Sequence, residues 1–422
     1  MINIEKLLNA SALDAWKINS TKTESYELFF VHSKLETVRA TDTCSVNVTV
    51  YCDHDGKRGN ASFNVYASTT EKKATTLIAD AKAKAALISN QYYTLPENES
   101  FEGSIESNFT SYSPRELATL MADAVFGSDM LGAGTVNALE IFINKQTVSV
   151  NNSIGIDKTQ VKYSAMIEAI PTWNEGESVE LYEAIRTTEF DFDKIRAEIE
   201  SKMREVRDRG LAKAPERKLT CPVLLGTEEL GQLIGELAYS LDYSTVYSHS
   251  NPFSEGDKIQ KAPEGDLLEV TMRGSVRGSV ASSLFDGDGT SITDTCIIEG
   301  GTVKSYFGSH RFAQYLEKPV TGAAACYELK CGSLSDEELK KAPYFECVSM
   351  SGLQLDIFND YIGGEVRLAY YFDGEKKIPV TGISISGKLS DALNSIRLSD
   401  ESTTSGRYSG PKLALFNGIE IV

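Results

Sequence analysis

TEELGQLIGELAYSLD, residues Thr227–Asp242, decides how the second half of the chain is read. Glu228 and Glu229 fall in its first turn, where carboxylates favour the positive end of a helix dipole. Leu230, Leu233, Ile234, Leu237 and Leu241 recur at three- and four-residue steps and make one apolar face. A strand-like run, Leu219–Leu225, comes immediately before. A strand feeding a helix is a good place to hang a site, yet this helix offers Glu236 and no His or Cys.

The rest of the chain narrows the classes. Its 422 residues are enough for two or three domains, and 41% hydrophobic with 24% charged content is ordinary for a globular protein. The net charge of −18 repels phosphate backbones, so direct nucleic-acid binding is not expected. The densest basic stretch, Lys202–Lys218, is interleaved with acids and reads as a solvated helix face. The N-terminus lacks the apolar core of a secretory signal, and no run approaches the roughly 18 apolar residues of a membrane helix. A cytoplasmic protein with no membrane partner is expected. Seven cysteines without a C-x-x-C pair fit reduced thiols, and four scattered histidines exclude a His-based metal site local in sequence.

Ile4–Lys17 reads as an amphipathic helix, and Glu27–Val31 as a strand. Ser45–Cys52 and Ala61–Ala67 alternate about the turn Asp53–Asn60, which predicts a β-hairpin over 45–67. Ser68-x-x-Glu71 reads as a capping box opening a helix to Asn90, and Ser113-Pro114-x-Glu116 as another opening a helix to Phe126. Strands are expected at Ala138–Ile143, Thr147–Val150, Gln160–Pro171 and Ser178–Thr188. Asp191 caps a helix to Gly210. The charged, Pro-bearing stretch Arg209–Lys218 is the expected domain boundary, dividing the chain into 1–215 and 216–422. Beyond the 227–242 helix the second half is mostly β, with Asp266–Arg273, Cys296–Tyr306, Cys347–Leu353, Gly364–Phe372 and Lys377–Ser386 as strands. Short helices are expected at Ser309–Glu317 and Ser390–Ile396. The fold class is α+β: an N-terminal mixed α/β domain of sheet and flanking helices, then a β-rich domain.

Each chemical candidate has a plainer reading. Asp286-Gly287-Asp288-Gly289 resembles part of a calcium loop but lacks the closing Glu and flanking helices, so it reads as a turn. Gly300-Gly301 and Gly363-Gly364 match no phosphate-binding fingerprint and read as hairpin turns. No G-x-S-x-G is present, and Cys326 and Cys331, near Tyr327 and Ser333, have no His in their neighbourhood. Two structural thiols are expected there. Glu236 alone reads as a solvated or ion-paired residue.

The stretch Ser351–Leu393 resembles the TldD/PmbA family, also called modulators of DNA gyrase. The likeness rests on Pro379, Val380, Ile385, Gly387, Asp391 and Leu393, set after a hairpin about Asp373-Gly374. The segment FDGDGTSITDTCIIEGGTVKSYFGSHRFAQYL and the N-terminal hairpin and helix are similar to family patterns too. Metallopeptidase members carry H-E-x-x-x-H on a helix after a strand, and a Cys near the C-terminus, which together hold zinc while the Glu handles a proton. Against that motif, Glu236 keeps the Glu position, and Gly235 and Ser240 stand where the two histidines belong. The stretch SDESTTSGRYSGPKLAL contains no Cys. The resemblance therefore implies the PmbA-like (TldE-like) branch: a non-catalytic dimer-forming subunit with no zinc of its own. Its partner would be a TldD-like catalytic subunit or a second copy, and its substrates flexible peptides. Two other readings stand beside it. One is an active hydrolase in which Glu236 is joined in space by Asp286, His249 or Cys331. The other is a regulator acting on gyrase through an acidic surface.

Overall fold

The computed structural model describes residues 2–176 and 178–422. The chain is α+β, as its patterns imply. A nine-stranded sheet occupies the first half. Its order runs through 90–91, 57–65, 34–54, 15–31, 134–152, 156–173 and 99–104, with 179–180 and 183–187 also pairing with 156–173. Glu71–Ala85 packs on the strands 34–54 and 57–65. Pro114–Phe126 and Phe192–Leu211 pack on each other and on the strands at the sheet's centre, around Leu139, Ile141, Ile167, Ile199 and Met203.

Two further sheets make the second half. One has nine strands, ordered 397–398, 414–416, 223–225, 344–350, 361–372, 383–387 and 419–421, with 354–356 and 377–380 also on 361–372. The other has six, ordered 302–303, 295–299, 270–273, 326–329, 408–411 and 402–405. The helix Thr227–Ser240 lies across the six-stranded sheet, touching 326–329, 402–405 and 408–411. Leu230, Leu233, Ile234, Leu237 and Leu241 are buried in one core with residues of both sheets. The apolar stripe read from the sequence is thus the seam that joins the sheets.

Several elements differ from their sequence reading, each for a physical reason. The first helix is Ile4–Asn9, because Ala15–Lys17 is drawn into a strand pairing with Tyr51, Val50 and Thr49. The helix after Ser68 begins later: Thr70, not Ser68, accepts the Lys73 N–H, since a turn closed by Thr69 N–H on the Tyr66 carbonyl holds the preceding residues. Ala138–Ile143 and Thr147–Val150 are one strand, Gly134–Asn152; the polar run Asn144–Gln146 is held because both neighbouring strands pair with it. Gly363 and Gly364 lie inside the strand Tyr361–Phe372, not in a turn. A Cβ on Gly364 would come within 2.6 Å of the Gly352 carbonyl oxygen, so glycine serves close backbone approach there. The Ser113 capping box and the Asp191 cap form as read.

The two halves meet at the loop 283–291. Gln160 donates to Ser283 Oγ at 2.7 Å and accepts the Leu284 N–H at 2.9 Å. Asn19 Nδ2 donates to the Gly287 carbonyl at 2.8 Å, and Lys17 pairs with Asp288. Lys158, 0% exposed, reaches Glu99 Oε2 at 2.7 Å and Ser291 Oγ at 2.8 Å.

Candidate functional site

A cleft of about 730 Å³ opens beside the helix Thr227–Ser240. Thr227, Glu228, Gly231, Gln232, Gly235 and Glu236 form one wall. Opposite stand Tyr327, Leu353–Leu355, Ser405, Arg407 and Tyr408. The cleft therefore gathers, from four places in the chain, the positions that the family motif marks: Gly235, Glu236 and the Cys-less stretch around Ser405–Tyr408.

Gly235, which the resemblance sets at a histidine position, lies close against an aromatic side chain. A Cβ built there would sit 2.8 Å from Tyr327 Oη and 3.2 Å from its Cζ. The Tyr327 hydroxyl donates to the Gly231 carbonyl at 2.8 Å, which fixes the ring against the helix. Gly231 makes similar room for Tyr408, whose Cβ would lie 3.3 Å from an added Cβ. Tyr327 and Tyr408 pack on each other, with ring centroids 6.2 Å apart. Two glycines one helical turn apart thus admit two aromatic rings, and any side chain at 235 would require the Tyr327 hydroxyl to shift.

Ser240 is 4% exposed, and its hydroxyl donates to the Leu237 carbonyl at 2.7 Å, a local bond back into its own helix. Glu236 is exposed, and its side chain forms no hydrogen bond or ion pair with another described residue. It borders the cleft and also a smaller cavity of about 140 Å³ lined by Tyr239, Ser240, Thr245 and Asp356 among others. At the C-terminal stretch Tyr408 is buried and donates to the Pro411 carbonyl at 2.9 Å. The donor set does not fit zinc: glycine has no ligand atom, the hydroxyl is spent on a carbonyl, and no thiolate is at hand. Among the described residues no group of three or more His, Cys, Asp or Glu side chains is placed to hold a metal.

The remaining candidates separate. Asp286 Oδ1 accepts from the N–H groups of Asp288 at 2.9 Å and Thr290 at 3.0 Å, and Oδ2 from Ala323 at 3.1 Å, so the acidic loop is a turn whose carboxylate is used internally. His249 is exposed at the end of the next helix. Cys326 is buried beside Ser279 Oγ at 3.3 Å, and burial pushes its thiol up; burial raises Cys331 too. None of Asp286, His249 and Cys331 lines either cavity beside Glu236. All seven cysteines are free.

Sequence reading missed Glu229. Its place in the first turn suggested only a dipole partner, but it is 7% exposed, and burial pushes its carboxyl up to about 7. Arg407 was missed as well. It lines the cleft across from two carboxylates, and a lone Arg in a polar C-terminal stretch carries no signal without the fold.

Comparison with known proteins follows the same lines. Residues 218–422 match the family described as PmbA/TldA metallopeptidase C-terminal domain. The whole chain resembles three solved structures. TldE from Thermococcus kodakarensis is 15% identical with a TM-score of 0.81, covering 99% of this chain and 98% of that one. A Thermotoga maritima protein named for modulation of a DNA gyrase is 15% identical with a TM-score of 0.79, over 99% and 98%. A Bacteroides thetaiotaomicron protein named likewise is 14% identical with a TM-score of 0.75, over 99% and 97%. The chain belongs to the TldD/PmbA family. At these identities the solved structures establish the shared fold of this TldD/PmbA chain, while its site must be read from its own residues. No curated protein matches it. Among the described residues no helix is long and apolar enough to cross a membrane.

Proposed function

We propose that this TldD/PmbA chain is a zinc-less subunit that holds flexible peptides for a metal-bearing, TldD-like partner. One observation supports the reading: at the position the resemblance gives to the first histidine stands Gly235, and the Tyr327 hydroxyl, bonded to the Gly231 carbonyl, lies 2.8 Å from where a Cβ would be.

The cleft itself suits an extended peptide. Strand 402–405 ends the six-stranded sheet, and strand 354–356 pairs only with 361–372. Residues of both line the cleft, so each can offer backbone hydrogen bonds to an added strand. Glu228, Glu236 and Arg407 supply both signs of charge at its wall. The volume falls within the range of ligand sites. On this reading the chain divides at 215/216 into a wall-forming unit and a peptide-holding one, and the seven free thiols fit a reducing, cytoplasmic setting. Gyrase modulation is carried by the names of two structural neighbours.

The test is a peptide-library cleavage assay. The chain alone should give no turnover with or without added zinc. Mixed with a family member that bears H-E-x-x-x-H, it should raise that member's kcat/KM for unstructured peptides. Cleavage by this chain alone, abolished by a chelator, would end the proposal.

A further inference from the structure

The smaller cavity, about 140 Å³, is closed by three pieces of chain: the last turn of the helix Thr227–Ser240, the segment 245–252, and residues 355–358. It adjoins the cleft, because Glu236 and Leu355 line both. Small-molecule sites run to roughly 300–1,000 Å³, so this one has room for a single side chain. Its chemistry is one-sided. Glu236 and Asp356 bring two carboxylates, and no Lys, Arg or His lines it. Asp356 accepts from the N–H groups of Phe358 at 3.0 Å and Asn359 at 2.9 Å, and from Asn359 Nδ2 at 2.6 Å. These bonds, that of the Asn359 side chain first, hold its carboxyl below the usual range, so it is charged at neutral pH. Thr245 is the independent sign of a ligand. It lines the cavity, is 5% exposed, and its Oγ1 has no hydrogen-bond partner among the described residues. A buried hydroxyl is seldom left so unless something outside the chain completes it. Ser240 Oγ, which donates to the Leu237 carbonyl, still has lone pairs to offer. Beside these acceptors stand Leu355, Ile357 and Pro252, and the rings of Tyr239 and Phe358, 65% and 67% exposed. An apolar stem with a cationic, donor-only head matches both kinds of surface, and aromatic faces attract such a head too.

We propose that this cavity receives one lysine or arginine side chain of the peptide held in the adjoining cleft. The inference rests on the peptide reading of that cleft. The head group takes Glu236 and Asp356 as counter-ions and Thr245 Oγ1 as a further acceptor, while the stem lies along Leu355 and Ile357. Strand geometry delivers the side chain. Along the strand 354–356, Gln354 lines only the cleft and Asp356 only the small cavity. A peptide added to that strand sends alternate side chains to opposite faces, so one residue turns into the cavity while its neighbours stay out.

The test is fluorescence anisotropy of a labelled, unstructured peptide titrated with the full chain at physiological salt. The central residue of the peptide is arginine, lysine, norleucine or glutamate. The arginine and lysine peptides should bind about tenfold tighter than the norleucine peptide, and the glutamate peptide more weakly still. Glu236→Gln should erase most of that preference. Thr245→Val changes no charge and breaks no existing hydrogen bond of the side chain, and it should reduce the preference by about threefold. Thermal melting confirms that both variants fold. Equal binding of the arginine and norleucine peptides would overturn the proposal and leave the peptide reading of the cleft standing. A preference that survives both substitutions would overturn it as well, since it would then be the general pull of an acidic chain on a cation. Binding of none of the four peptides would remove the cleft reading and this proposal with it.

Discussion

Glu99→Ala is expected to lower the unfolding free energy by about 3 kcal/mol or more, whereas Lys158→Met should cost about 1 kcal/mol or less. The two residues form one ion pair, but their surroundings differ. Lys158 is 0% exposed and Glu99 49% exposed. Without Glu99 the ammonium keeps only the Ser291 hydroxyl, at 2.8 Å, inside the junction between the halves. A buried charge stripped of its counter-ion is among the largest single penalties a fold can incur. Without Lys158 the carboxylate turns to water and keeps its hydrogen bond from Ser291 Oγ, at 2.7 Å, while methionine fills the stem's volume. The lysine, and the hydrogen bond that Ser291 Oγ donates to Glu99, also hold the Glu99 carboxyl below its usual range. The pair therefore stabilises the fold above the ordinary carboxylate pKa and weakens as pH falls through the lowered one. Urea unfolding of both variants near neutral pH checks the asymmetry. Equal losses would mean that the junction is wet and the lysine is not truly enclosed.

Glu229→Gln is expected to raise stability at pH 8 by about 3 kcal/mol, with the gain fading toward pH 4. Burial is the main cause of the upward shift to about 7 from an ordinary 4.5, with Glu228 adding to it. The N–H groups of Gly226 and Glu229 and the ammonium of Lys202 oppose it. Lys202 is itself engaged by Glu183 and Glu205, both at 3.1 Å, and Cys347 nearby is a fully buried thiol pushed well above its usual range. The folded chain holds this proton more tightly than the unfolded one. Stability is therefore greatest below about 4.5 and falls as pH rises through about 7. Glutamine keeps the acceptor oxygen and cannot ionise. Unfolding curves at pH 5 and pH 8 decide it: a gain that does not grow with pH would mean that Glu229 carries its charge in the folded protein.

What could be read in advance follows from how far apart the interacting residues lie. The 227–240 helix was legible because Leu230, Leu233, Ile234 and Leu237 declare its buried face within four turns, and Ser113 with Glu116 declares a helix start within one. Gly134–Asn152 was legible only in pieces, since the pairings that hold Asn144–Gln146 come from Thr23–Ser25 and from Lys162–Ser164. Ser68 satisfied the capping pattern, yet a turn two residues long gave the position to Thr70. At the site, only a family resemblance marks Gly235 and Ser240 as positions where ligands would stand. That Tyr327 packs against Gly235 could not be read at all, because it depends on a strand from elsewhere in the chain crossing the helix at Gly231 and Gly235. Glu229 and Gly363 teach the same lesson: burial of a charge and closeness of two backbones belong to the packing, not to the local pattern.

The most direct measurement is zinc bound at equilibrium, by dialysis of the purified chain against micromolar zinc and elemental counting. A cleft whose ligand positions are a glycine under a tyrosine ring and a serine turned onto its own helix should leave the chain with far less than one tightly held zinc. One zinc per chain, lost when Glu236 or the residues around it are replaced, would contradict the account.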